Sequence, residues 1–290
     1  MTAPPLRLAA GSAEVVVDLE HGGRIASLRV HGHELLVDQP DEPMWWGSYP
    51  MVPFAGRVRA GRLRFRGQDH QLPRNHPPHA IHGTAFERPW EHVGPGAIGV
   101  DLGDGWPFQG RVTQRFVLAP DSLEVELVLH AEEAMPAMLG WHPWFRRRLG
   151  APLPARELRA RSVPDAPQPG DARLELAAGA MYVRSADGLP TGELVPPPPG
   201  PWDDCFTDLR RTPVLEWPGV VRLTIGSTLD HWVVFDELAR GICVEPQSGP
   251  PNQVNTAPRV VEAGERFAAT MTWRWETLAA PAAGDGQAGG

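Results

Sequence analysis

Two titratable side chains stand in short apolar runs of strand-like sequence. His142 lies in Gly140-Trp141-His142-Pro143-Trp144-Phe145, and Glu245 lies in Ile242-Cys243-Val244-Glu245-Pro246-Gln247. Groups so placed have shifted pKa values, and a His/Glu pair can serve as general acid and general base. A histidine lined by aromatic rings stays useful as an acid only where an anion holds its proton, and Glu245 could be that anion. A carboxylate at the end of an apolar strand is costly unless paired, so each residue has reason to seek the other. The pair is far apart along the chain and meets only if the fold brings it together. Each residue also has a plainer reading, His142 as a hydrogen-bonded core histidine and Glu245 as half of a buried salt bridge.

Three further positions carry groups suited to binding a polyhydroxylated ligand. Arg57, in Val52-Pro53-Phe54-Ala55-Gly56-Arg57-Val58, is followed by the turn residues Gly61 and Gly67, and its rigid fork could donate several hydrogen bonds. Alone, it reads equally as a solvated charge. His82-Gly83 ends the stretch Asn75-His76-Pro77-Pro78-His79-Ala80-Ile81-His82-Gly83. The spacing of His76, His79 and His82 raises a metal site, but the prolines forbid a regular helix, and no metal is expected there. Asp203-Asp204 follows Trp202 and a proline-rich loop. It is either a solvated turn or a carboxylate that accepts hydroxyls.

The elements that must position these groups read as strands. Leu123, Val125, Leu127 and Leu129 alternate with Glu124, Glu126 and His130, and Val112, Phe116 and Leu118 precede them across the turn Ala119-Pro120-Asp121-Ser122. That pattern predicts a hairpin. Leu63 and Phe65 alternate with Arg62, Arg64 and Arg66, and Phe267, Ala269, Met271, Trp273 and Trp275 share one face of a late strand. Residues 220–225 and 231–235 read as two more strands. The chain holds 31 Gly and 33 Pro, and punctuation this dense favours an all-β sandwich or barrel. Residues 155–161 could form one or two helical turns, residues 196–199 an exposed loop, and residues 279–290 a disordered tail. With no internal repeat and no boundary, residues 1–278 are expected to form one domain.

Composition narrows the partners. At 290 residues a single all-β unit can bury a large core. The net charge of −8 disfavours nucleic acid. No apolar run reaches the roughly 18 residues of a spanning helix. Two cysteines and the absence of a signal-peptide pattern point to the cytoplasm. Eleven Trp against two Tyr hint at rings that stack on sugars, although Trp fills cores equally well.

In order and spacing, these motifs resemble the aldose 1-epimerase (galactose mutarotase) family over roughly residues 10–277. The pieces are Gly22-Gly23-Arg24-Ile25, Gly56-Arg57 with Gly61 and Gly67, His82-Gly83, His142-Pro143-Trp144-Phe145, Asp203 with Phe206, and Glu245 with Gln247 and Asn252. The resemblance implies a large antiparallel β-sandwich with its site on the concave face. It implies His142 as general acid, Glu245 as ionised general base, and Arg57, His82 and Asp203 as sugar contacts, with no cofactor. Asp203 is favoured over Asp204 because it stands three before Phe206. Three departures bear on sugar preference: Gly56 where the family commonly has Asn, Thr84 where a second Gly follows, and Trp144 where Tyr is commoner.

The implied reaction interconverts the anomers of a free aldohexose, with acid and base expected on opposite sides of the sugar ring. Two alternatives remain open. A hexose-6-phosphate 1-epimerase would need a cationic pocket, which Arg146-Arg147-Arg148 could supply. A carbohydrate-binding protein without catalysis could use the same fold. Neither sugar identity nor oligomeric state is legible in the sequence.

Overall fold

The computed structural model describes residues 3–38, 43–153 and 168–278. Strands dominate, and every strand pairing is antiparallel. Among the described residues, helix is limited to Gln253–Thr256 and two 3-10 turns, Arg59–Gly61 and Ala85–Glu87. No helix there is long and apolar enough to cross a membrane. The expected hairpin forms from Gly110–Ala119 and Ser122–Ala131, with Ala119 opposite Ser122. Leu123, Val125, Leu127 and Leu129 are all buried, as period-two alternation requires. The last strand, Arg266–Thr277, pairs with the hairpin and buries Phe267, Ala269, Met271, Trp273 and Trp275 on one face. The segments around residues 220–225 and 231–235 are the strands Val221–Ser227 and His231–Leu238, and residues 196–199 form a largely exposed loop. The turns expected at residues 155–161 and the tail at 279–290 lie outside the described residues.

The sheet folds on itself through one long strand, Asp203–Trp217. Its first residues pair with His231–Leu238, and its last pair with Val221–Ser227. The first pairing continues through Gly241–Gln247, Gly140–Arg146 and Ser48–Met51. The second continues through Arg266–Thr277 to the hairpin. Two packed layers result, which is how a large sheet buries an apolar face. Phe145 of one layer meets Trp273 of the other edge to face, with ring centroids 5.1 Å apart. Burying a ring of this kind contributes about 1.5–3 kcal/mol. Gln114 ties the layers by hydrogen bonds: its Nε2 donates to the Gly23 carbonyl at 2.8 Å, and its Oε1 accepts from Trp141 Nε1 at 3.3 Å.

Candidate active site

The strand Gly140–Arg146 lies between Ser48–Met51 and Gly241–Gln247, and all but its last residue are buried. This accounts for its unbroken apolar sequence. Trp141 and Phe145 point into the interlayer core, while His142 and Trp144 point the other way. The register sets Gly140 opposite Gln247 and Trp144 opposite Cys243, so His142 falls opposite Glu245 on the same face. Their contact is direct, with His142 Nε2 3.2 Å from Glu245 Oε1. The His142 ring also stacks on Tyr49 at 4.8 Å, its partner across the other neighbouring strand, and on Trp144 at 5.5 Å. The expectation that acid and base face each other across a sugar ring is therefore corrected. They stand side by side, because paired strands place opposite residues in contact.

A cleft of about 640 Å³, open to solvent, lies above this pair. Arg57, His82, His142, Asp203 and Glu245 all line it, and Trp45, Trp144 and Phe235 supply an aromatic wall. The cleft adjoins a wider outer cavity of about 1170 Å³, with Arg57, His76 and Asp203 lining both.

Local backbone geometry explains how the rim residues arrive there. Arg57 pairs with Ile81, and the His82 amide donates to the Gly56 carbonyl at 2.9 Å, so the Arg57 and His82 segments are one unit. Gly56 has φ 63°, a left-handed conformation that Gly and Asn adopt more readily than other residues. His82 (φ 62°) and Gly83 (φ 80°) are both left-handed, and a Cβ on Gly83 would lie 2.1 Å from the Val52 carbonyl oxygen. The Arg57 side chain makes no hydrogen bond or ion pair with any described residue, which leaves its donors for a ligand. Asp203 lines the cleft and Asp204 does not. One Asp203 oxygen is already held by Arg184, so this carboxylate has less free capacity than the sequence implied.

The electrostatics reverse one expectation. His142 and Glu245 are only 7% and 2% exposed. Burial pushes the Glu245 carboxyl well above its ordinary value, Asp203 adds to the rise, and Arg57 opposes it. Burial pulls His142 down to about 3, and the Arg24 charge acts in the same direction. His82 is likewise held well below its usual range by burial and by the neighbouring His142 and Arg57. Burial thus disfavours the charged form of each partner, imidazolium and carboxylate alike. Desolvation by burial is the largest cause for both groups.

Some residues here were given no role of their own in the sequence reading. Gln247 is fully buried, lines the cleft, and lies 3.5 Å from Glu245 through its Nε2. Its position two residues beyond Glu245 on a strand was the available signal. Tyr49 and Trp45 belong to segments with no readable pattern. Arg24 is a buttress: its guanidinium donates to the carbonyls of Pro43, Trp46 and Phe86.

Among the described residues, the histidine run does not gather three donors that could hold a metal ion. Both ring nitrogens of His79 are taken, Nδ1 by the Ala60 amide and Nε2 by the Asp187 carbonyl. The Arg146-Arg147-Arg148 run is also corrected, since it forms no cationic pocket in the cleft. Arg146 pairs with Asp38, Arg147 donates to the Leu238 carbonyl, and Arg148 pairs with Asp171. None of the three lines the cleft.

The aldose 1-epimerase family profile matches residues 6–274, and the chain belongs to that family. A stretch of 104 residues is 33% identical to the uncharacterized protein YphB of Escherichia coli (strain K12), covering 33% of this chain and 36% of that protein. A galactose mutarotase-like protein from Clostridium acetobutylicum superposes with a TM-score of 0.76 at 16% identity, over 94% of this chain and 95% of the other. Galactose 1-epimerase from Lactobacillus acidophilus superposes with a TM-score of 0.74 at 16% identity, over 94% of each chain. At that identity, the superpositions show a shared fold: the galactose mutarotase-like all-β architecture.

Proposed function

We propose that this protein is a mutarotase, an isomerase that interconverts the α and β anomers of a free aldohexose by opening and closing the pyranose ring. The observation that carries the reading is the 3.2 Å contact between His142 and Glu245 at the base of an open cleft, with the Arg57 side chain on its rim and without a partner among the described residues. Ring opening takes a proton from the anomeric hydroxyl and delivers one to the ring oxygen. Both oxygens are bonded to the same carbon, C1. An acid and a base that stand side by side therefore suit the reaction, and opposite placement is unnecessary.

The pair holds one transferable proton. Passing it from Glu245 to His142 across their contact produces a carboxylate base and an imidazolium acid, and the Arg57 charge favours the carboxylate. Glu245 then accepts the hydroxyl proton while His142 protonates the ring oxygen, and the C1–O bond of the ring breaks to leave an aldehyde. Rotation about C1–C2 presents the other carbonyl face. Closure reverses both transfers and restores the pair. Arg57, His82 and Asp203 hold sugar hydroxyls, and the aromatic wall covers the apolar face of the ring. No redox group or nucleophile is required. We assign the domain to residues 1–278 and the protein to a reducing compartment, in keeping with two free thiols, Cys205 and Cys243.

Polarimetry on freshly dissolved α-glucose or α-galactose tests the proposal. Glu245→Gln and His142→Asn are each expected to slow mutarotation about a hundredfold or more without unfolding the protein. Wild-type rates in both variants would reject it.

A further inference from the structure

His142, Cys243 and Glu245 each offer one donor atom, and the three donors lie within 4.8 Å of one another. Among the described residues this is the one such group of three, and all its members are buried. Strand register creates it. Cys243 and Glu245 occupy alternate positions on one face, and His142 is directly opposite Glu245. The donors are an imidazole nitrogen, a thiol sulfur and a carboxylate oxygen, which are zinc's protein ligands. Around a tetrahedral zinc such atoms stand roughly 3.3–3.7 Å apart, so modest side-chain rotations would close the set.

Two further observations point to a ligand at this place. Gln247 is the next residue on the same face, and its Oε1 is buried without a hydrogen-bond partner. It is placed to accept from a water in the fourth coordination position. Cys243 is also fully buried yet takes no part in the acid–base chemistry and does not line the cleft. A thiolate, a carboxylate and a neutral imidazole around a divalent cation sum to zero charge, which suits a buried site.

We propose that the floor of the cleft is an inhibitory site for a zinc-like divalent cation, held by His142 Nε2, Cys243 Sγ and Glu245 Oε1. Binding releases the thiol and carboxyl protons to water. The inhibitory effect rests on the mutarotase reading, because the cation occupies the two atoms that would exchange protons with the sugar. Bound metal stops the reaction, and a chelator restores it.

The test uses tag-free full-length protein kept reduced, with Co²⁺ as a spectroscopic probe and Zn²⁺ as the inhibitor. Wild type is expected to bind one Co²⁺ with a thiolate-to-cobalt charge-transfer band in the near ultraviolet, and to lose mutarotation with Zn²⁺ until EDTA is added. Cys243→Ala and Cys243→Ser, two variants in case one fails to fold, should lose the band. They should keep mutarotation and require about tenfold or more Zn²⁺ for inhibition. Cys205→Ala should keep the band. A wild type without the band, or Cys243 variants as zinc-sensitive as wild type, would overturn the site. A Cys243-dependent band in protein with no mutarotase activity would support the cation site while rejecting the proposed function.

Discussion

Burial raises the pKa of Glu245 above that of a free glutamate, and this has a consequence for stability. Its pKa is raised in the native state above the ordinary 4.5. The stabilising proton is therefore fully held below about 4.5 and is lost as pH rises through the native value. His142 works in the opposite sense. With a native pKa of about 3 against an ordinary 6.5, it lowers stability as pH falls from 6.5 toward 3. Gln at position 245 does not titrate. Glu245→Gln should thus melt close to wild type at pH 4.5 and above it at pH 8, even as activity collapses. Thermal denaturation across that range checks the sign, and a variant that melts below wild type at pH 8 would contradict it. The types of these two residues, and their apolar neighbours, were plain in the sequence. Their charge states were not, because a pKa depends on solvent exclusion by residues far away in the chain.

At the scale of elements, the His82 turn shows what a short segment must satisfy. Gly83 combines a positive φ with a close approach to the Val52 carbonyl, so a methyl group has neither the backbone freedom nor the space it needs. Gly83→Ala is expected to cost about 2 kcal/mol or more and to displace His82. A lowered melting temperature with a raised KM would show this, and an unchanged pair of values would refute it. The Gly22-Gly23-Arg24 motif is constrained in the same way. A Cβ on Gly22 would strike the Phe86 carbonyl at 1.9 Å, and one on Gly23 would strike the Trp90 ring at 2.6 Å. The sequence marks such turns by residue type, and the hairpin at residues 110–131 by alternation. It does not mark strands buried on both faces. Gly140–Arg146 has no alternation, so its two faces, and hence the side on which His142 lies, were hidden. The Arg146–Arg148 run misled for a related reason. Clustered arginines look like an anion site until acids and carbonyls from Asp38, Leu238 and Asp171 are seen to claim them.

For the whole molecule, the link between layers is part of how the site is held. Gln114 reaches from the hairpin layer to Gly23 and to Trp141, the residue beside His142. Gln114→Leu fills a similar volume but leaves a buried carbonyl and an indole N–H unpaired. The expected loss is about 2–4 kcal/mol. Urea unfolding should show the shift, with the mutarotation rate per folded molecule changing far less; a midpoint unchanged from wild type would deny the link any energetic role. The sequence by itself determined the all-β class, the family, and the residue types the site would use, because alternation, turn residues and motif order are local properties of a chain. Only the tertiary structure decided that His142 and Glu245 touch, that burial disfavours the charge on each, that the Arg57 side chain has no hydrogen-bond or ion-pair partner among the described residues, and that Cys243 lies beside the pair. Those facts follow from which strands become neighbours and in what register, and long-range pairing leaves no periodic trace in either partner.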